Sequence, residues 1–370
     1  MKSDILFNIS QIIERDSKTT TYKFALLRGV IDIIQENSPF ICISRDRVYF
    51  PIGLLIEKWL LYYYPILNSS IKIPQINGQF YLAFEVQLKK IIDSYDKLGG
   101  FSAFYNDLKK NGIPLNLKNS FIDLVKGIKN TIIRMPMKYI GSSVSDDYYS
   151  IFQYHSTRTR KPSSVIDVEF LIHNFGLFSI PIDYFEAFRI VGSFIGGMDS
   201  IFFKWAQFSV NASGKTLSLE KVVNEILKTP VTQREIEESK KMYGEIIKNE
   251  GKVYCVWTGK AISKFEIDHL IPFSIWKNNE LWNLLPAQAK VNNQKRNKIP
   301  SVQVIERQKD LIVHYWEMID KNIPDRFQKE IKLSLLGNSS KTNWQVTAIE
   351  QLKNSCDYLI TTRGYEEWDL

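Results

Sequence analysis

Between Lys252 and Lys295 the chain switches from strand-like to helix-like patterning within a short span, which leaves few ways to fold it. Lys252–Trp257 and Ala261–Asp268 read as two short strands joined by the turn residues Thr258-Gly259-Lys260. A loop follows through Lys277-Asn278-Asn279. Trp282 to Leu285 is then mostly apolar, Pro286 suits the first position of a helix, and Ala287–Lys295 can continue it. The pair Asp268-His269 stands where the second strand ends, and Pro272 stiffens the turn away from it. Asn292 and Lys295, three residues apart, share one helix face.

These residue types suit the cutting of a phosphodiester, which needs an activated water, neutralisation of charge on the scissile phosphate and stabilisation of the leaving oxygen. A carboxylate such as Asp268 and an amide oxygen such as that of Asn292 are hard ligands for Mg²⁺ or Mn²⁺. Asn293 is the competing amide. Histidine takes a proton from water near neutral pH, so His269 is the candidate base. Side chains alternate along a strand. Asp268 and His269 therefore address the metal and the water from different directions only if the strand twists or ends there.

The segment Cys255–Ser301 resembles the HNH nuclease domain, the ββα-metal fold, in the motif residues and in the flanks WTGKAI and WNLLP. The resemblance implies that His269 is the general base, Asp268 the first metal ligand and Asn292 the last. It implies that Asn283 braces the loop holding the base and that Lys295 contacts phosphate. It also implies Mg²⁺ or Mn²⁺ as cofactor. Many relatives carry two Cys-x-x-Cys pairs that bind a structural zinc; here Cys255, Thr258, Gln288 and Val291 stand at those places, so no structural zinc is expected. Packing must then hold the domain, with Trp257, Leu285 and Val291 as candidate core and Val302–Met318 as a supporting helix. A looser similarity extends to bacterial restriction and defence nucleases with a C-terminal HNH domain.

Positive charge is concentrated near this motif. Gly251–Asp310 carries ten Lys or Arg against five Asp or Glu, and Ala103–Lys161 ten against four, within a chain of net charge +8. Candidate contacts to nucleic acid are Lys290, Lys295, Arg296, Lys298 and Trp276 beside the motif, and Arg158, Arg160 and Lys161 in the middle of the chain. His155, His173 and His314 have no partners at ligand spacing and read as structural or surface residues. Cys42, Cys255 and Cys356 are isolated, which excludes a disulfide framework. The start, Met1-Lys2-Ser3-Asp4, does not read as a signal peptide, and apolar runs stop short of the ~18 residues of a membrane span. A cytoplasmic protein without a membrane partner is expected.

Elsewhere Thr20–Ile34, Leu54–Tyr64, Phe80–Leu88, Met198–Phe208 and Thr232–Asn249 carry helical patterning, whereas Lys118–Phe194 is more mixed, and Ile132–Tyr148 and Val165–Ile182 within it read as short strands and loops. The expected fold class is α+β: a helical or mixed region over 1–249, for DNA recognition or dimerisation, and an HNH nuclease domain with a helical extension over 250–370. The expected activity is metal-dependent cleavage of double-stranded DNA, as in a type II restriction enzyme, with a homodimer to cut both strands. A nicking, structure-specific or RNA-cleaving nuclease is the alternative, and a non-catalytic DNA-binding module a more distant one.

Overall fold

In a computed structural model, residues 5, 7–9, 19–77, 81–140, 151–157, 164–193, 195–226, 228–231, 233–339 and 342–370 are described, without side chains for 191–200. The candidate contacts Arg158, Arg160 and Lys161 lie outside the described residues. The fold is α+β, in two compact units: residues 1–35 with 40–230, and residues 36–39 with 231–370. The division falls at 230/231 and not at 249. The helix expected to close the first unit belongs to the second, where Tyr243 is fully buried and meets Phe265 and Tyr315 edge-on.

The first unit is mainly helical. Helices α1 (Tyr22–Gln35) and α2 (Ile52–Leu67) form where the apolar spacing predicts them. Gly53 of α2 lies against the backbone of the short helix Val168–Asn174, so close that a Cβ there would meet the Leu171 carbonyl at 2.1 Å. The stretch read as mixed opens with helix α3 (Lys118–Arg134), which buries Phe121, Leu124, Val125, Ile128 and Ile132, so that Ile132–Arg134, read as the start of strands and loops, are helical. The three- and four-residue spacing of the buried residues decides the structure there. The unit also holds a four-stranded antiparallel sheet of β1 (Cys42–Ser44), β2 (Arg47–Pro51), β3 (Gln153–His155) and β4 (Leu177–Pro181), in the order β1-β2-β4-β3. Phe50 and Phe178 pair across it and stack at 4.8 Å, while His155 is tied to Ser179 Oγ at 2.8 Å.

In the second unit, α4 (Glu237–Glu250) precedes the hairpin of β5 (Val253–Tyr254) and β6 (Ala261–Ile262). Gly259, at φ 66°, makes the turn, and its N–H donates to the Cys255 carbonyl. The long second strand expected through Asp268 is two strands. β7 (Glu266–His269) leaves the first hairpin and pairs antiparallel with β8 (Leu284–Ala287). Pro286 therefore lies in a strand opposite Ile267 and does not open a helix; lacking an N–H, it contributes its carbonyl, which accepts from Val256 N at 2.9 Å. Helix α5 (Ala289–Lys295) follows, then β9 (Ile299–Pro300), α6 (Val302–Asn322) and α7 (Trp344–Asp357); β10 (Glu367–Trp368) pairs with β9.

The core of this unit is built around tryptophans. Trp257, Trp282 and Trp316 are fully buried; Trp257 meets Trp368 edge-on at 5.0 Å, and Trp316 Nε1 donates to the Trp282 carbonyl at 2.8 Å. Each such ring removes on the order of 200 Å² from water, a gross gain of about 5 kcal/mol. Two of these four rings come from beyond Ser301. The short motif segment is thus closed by the helix and strand that follow it.

Candidate active site

Strand β7 presents successive side chains to opposite sides, and the two motif residues use both. Asp268 turns towards Trp257 and α5: Trp257 Nε1 donates to Oδ2 at 2.6 Å, and Lys295 Nζ stands 3.3 Å from each carboxylate oxygen. His269, where the strand ends, turns towards the following loop, and its Nε2 lies 3.3 Å from Asn279 Oδ1. Both side chains are buried, at 5% and 4% exposure. Burial raises the Asp268 carboxyl above its ordinary value and outweighs Lys295 and Trp257, which act to lower it. Burial likewise pushes the His269 imidazole down, to about 4, so it is neutral at pH 7.

The tautomer of His269 follows from its neighbours. Asn279 Nδ2 donates to the Gln233 carbonyl at 2.9 Å, which leaves the amide oxygen facing the ring. An amide oxygen only accepts hydrogen bonds. His269 Nε2 therefore carries the proton, and Nδ1 holds the free lone pair. The loop itself is clamped by Asn283, which is fully buried: its Oδ1 accepts from Ile271 N at 2.8 Å, and its Nδ2 donates to the Ile271 carbonyl at 3.0 Å. From the other side, buried Glu330 accepts from Leu281 N at 2.7 Å, and Glu280 accepts from Trp282 Nε1, Asn278 Nδ2 and Ser334. Burial and the neighbouring Glu280 push the Glu330 carboxyl up to about 6.

On α5, Asn292 and Lys295 do share a face, and that face lies along β7. Asn292 Nδ2 donates to Glu266 Oε2 at 2.8 Å, while one turn on, Lys295 reaches Asp268. Lys295 departs from the expected phosphate contact. It is fully buried over the Trp257 ring, and its ammonium donates to the His269 carbonyl at 2.6 Å, so its charge is spent inside the domain. Of the other expected contacts, Lys290 and Arg296 are exposed, Lys298 is paired with Glu366, and Trp276 is half-buried against the core.

Among the described residues, no cluster of three or more His, Cys, Asp or Glu is placed to hold a metal. The donors that are present are oxygens. Glu266 engages the Asn292 amino group, so the amide oxygen of Asn292 is the atom left to coordinate, and Asp268 is a buried carboxylate whose carboxyl burial holds above its ordinary value despite Lys295. That donor chemistry fits a hard divalent cation whose remaining ligands are water and phosphate. At the four positions where relatives hold zinc, Gln288 N donates to Cys255 Sγ at 3.3 Å, and the other three side chains carry no thiol.

A family model described as a domain of unknown function (DUF8808) matches residues 2–226, more than half of the chain. The chain belongs to that family. A second model, described as HNH endonuclease, matches residues 255–301, the span whose motif carries the resemblance, and the chain has a C-terminal HNH nuclease domain there. No curated protein and no solved structure matches the chain. Among the described residues, no helix is long and apolar enough to cross a membrane.

Four residues at this site escape the motif. Asn279 sits in the amide-rich loop that the sequence displays without assigning a role, whereas Glu266, Glu280 and Glu330 are brought in by pairing and packing, for which no local signal exists.

Proposed function

We propose that this protein is a metal-dependent endonuclease of double-stranded DNA, of the restriction or defence type, with its chemistry in the HNH domain. The observation that carries this reading is the hydrogen-bond relay from Gln233 through Asn279 to His269, which leaves a neutral imidazole with its lone pair on Nδ1. In the proposed step, Nδ1 takes a proton from water as the water oxygen bonds to phosphorus. The P–O ester bond breaks, and the leaving alkoxide takes a proton from solvent. The products are a phosphomonoester end and a hydroxyl end. Asp268 and the Asn292 oxygen would hold Mg²⁺ or Mn²⁺, which supplies charge neutralisation at the phosphate. Lys295 positions Asp268 and the His269 carbonyl, and Asn283 holds the loop behind them.

Recognition is assigned in this reading to the first unit, with a homodimer accounting for a double-strand break. The exposed side of α3 supports it, because Lys126, Asn130 and Arg134 recur there every fourth residue, with Asp123 3.9 Å from Lys126, and side chains of these types make the phosphate contacts that position a protein on a duplex. Incubating the full chain with supercoiled plasmid and Mg²⁺ or Mn²⁺ tests the reading. The wild-type protein is expected to cut the DNA and His269→Ala to bind without cutting. A His269→Ala variant as active as wild type would remove His269 from the chemistry, and preferential cleavage of RNA competitor would replace the substrate.

A further inference from the structure

We propose that the open face of the four-stranded sheet in the first unit, centred on Arg47, binds a backbone phosphate of the DNA other than the one that is cut; this rests on the nuclease reading above. The two faces of that sheet are unlike. Val48, Phe50, Phe178 and Ile180 turn into the core of the unit and are fully buried. Arg47, Tyr49 and Ser179 alternate with them and line the other side, and Gln153 and His155 join them by pairing: Tyr49 and Gln153 both stand opposite Ser179 in register. Gln153 is exposed, and Arg47, Tyr49 and His155 are half-buried, so this face is left open.

Arg47 is held there without being neutralised. Its Nε donates to Ser179 Oγ at 2.9 Å, and its Nη2 donates to the carbonyls of Ser179 and Ile151, each at 3.0 Å. All three acceptors are uncharged, and among the described residues no carboxylate pairs with this guanidinium. The plane of the fork is thus fixed in advance, and the two N–H groups of Nη1 are left over. Ser179 passes the bonding on. Its hydroxyl is fully buried, accepts from Arg47 and lies 2.8 Å from His155 Nε2, so its own proton goes to that nitrogen. His155 Nδ1 therefore carries the ring proton and is a second free donor. The ring meets that of Tyr49 at 5.3 Å, and the Tyr49 hydroxyl is a third group without an internal partner. None of these three groups is shut away from solvent.

What gathers on this face is hydrogen-bond donors around one uncancelled positive charge, with no acidic side chain among the five residues. Such a set selects an anion. A phosphodiester spreads a single charge over two non-bridging oxygens, which Nη1 and the neighbouring N–H and O–H groups can share, and contacts of this kind set a protein's register on a duplex. The hairpin between β1 and β2 adds to it. Exposed Arg45 has φ 55°, a left-handed conformation that glycine or asparagine adopts at less cost, yet an arginine stands there, and Asp46 beside it pairs with neither arginine.

Fluorescence anisotropy of a labelled duplex tests this across a salt series, using the full chain in a His269→Ala background that prevents cutting. Arg47→Gln is expected to weaken binding on the order of 10-fold and to lower the slope of log K against log salt by about 0.9. A purely structural loss would not move that slope. Because Arg47→Gln gives up internal hydrogen bonds, Gln153→Glu is the second variant. It brings a carboxylate to the exposed position opposite Ser179 and is expected to weaken binding at an unchanged melting temperature, whereas Gln153→Lys strengthens it. Parent affinity and slope in both Arg47→Gln and Gln153→Glu, beside plasmid cleavage by the wild type, would overturn the inference and leave the nuclease reading standing. The same losses on an RNA strand but not on the duplex would overturn the choice of DNA. A wild-type chain that neither binds nor cuts DNA would overturn that reading, and the inference with it.

Discussion

Glu57 in the first unit and Asp268 in the second are both buried carboxylates beside lysines, at 2% and 5% exposure, yet their charges are balanced in opposite ways. Burial would raise the Glu57 carboxyl, but Lys109 and Lys58 together prevail and hold it below its ordinary value. At Asp268 burial prevails over its partners, and the carboxyl stays above its ordinary value. The cause is the sharing of one ammonium. Lys295 stands 3.3 Å from the carboxylate oxygens but 2.6 Å from the His269 carbonyl, which draws it away. Glu57 is the finished half of a structural pair. Asp268 is a carboxylate that a further cation would stabilise, the property expected of a metal ligand.

The largest effect that can break this contrast comes from removing the lysine. Lys295→Met leaves Asp268 buried without its ammonium and is expected to cost about 3–5 kcal/mol of stability. Millimolar Mg²⁺ or Mn²⁺ should then raise the melting temperature of Lys295→Met more than that of wild type, because a bound cation supplies part of the missing charge. Glu57→Gln is the comparison. It also destabilises, but its melting temperature should respond to the ions no more than wild type does. Thermal melts with and without metal check both, and a Lys295→Met protein indifferent to divalent ions would end the argument that Asp268 lacks positive charge.

The same residues show what a sequence can and cannot disclose. The positions of Asp268, His269, Asn283 and Asn292 are legible from the motif that this segment shares with the HNH domain, their roles remaining part of the proposal, and the helix periodicity correctly places Asn292 and Lys295 on one face. What that face meets is a tertiary matter. Nothing local to Lys295 says that it will point at Asp268 and not at solvent. Glu330 reaches Leu281 across 49 positions of sequence, so its part in holding the loop has no local trace. In the first unit α3 lies in a stretch that reads only as mixed, and Pro136 interrupts the pattern just beyond its end, although five large apolar residues at helical spacing govern the packing.

A second effect, smaller in free energy, sharpens the contrast through protons. His269 is held down to about 4 by burial in the folded chain, against an ordinary value of 6.5, so between these values the unfolded chain binds a proton that the folded chain does not. Stability therefore falls as pH drops from 6.5 towards 4, at a slope approaching about 1.4 kcal/mol per pH unit from this residue. His269→Asn removes that slope. The acid limb of kcat/KM, which reports the free enzyme, is expected below 6.5 for the same reason. Denaturant titrations of both proteins across that range provide the check; a wild-type limb at or above 6.5 would show that the imidazole is not held neutral by its surroundings.

The smallest expected effect is a null one, and it concerns how each unit is closed. A structural zinc contributes about 10–16 kcal/mol of folding energy where it is present, and its removal unfolds such domains. Here the Cys255 thiol receives the Gln288 N–H, Trp257 packs edge-on against Trp368, and the Trp282 carbonyl is tied to Trp316. We propose that packing of rings from beyond the motif does here what a structural zinc does in many relatives, just as the first unit is closed by packed helices and stacked rings such as Phe50 and Phe178. A zinc-selective chelator should then leave the melting temperature unchanged, while Trp368→Ala, which opens the contact under Trp257, should cost about 3–5 kcal/mol. Stoichiometric zinc released on unfolding, or a chelator-dependent fall in melting temperature, would mean that the second unit is closed by a metal after all and that its likeness to the first in this respect is false.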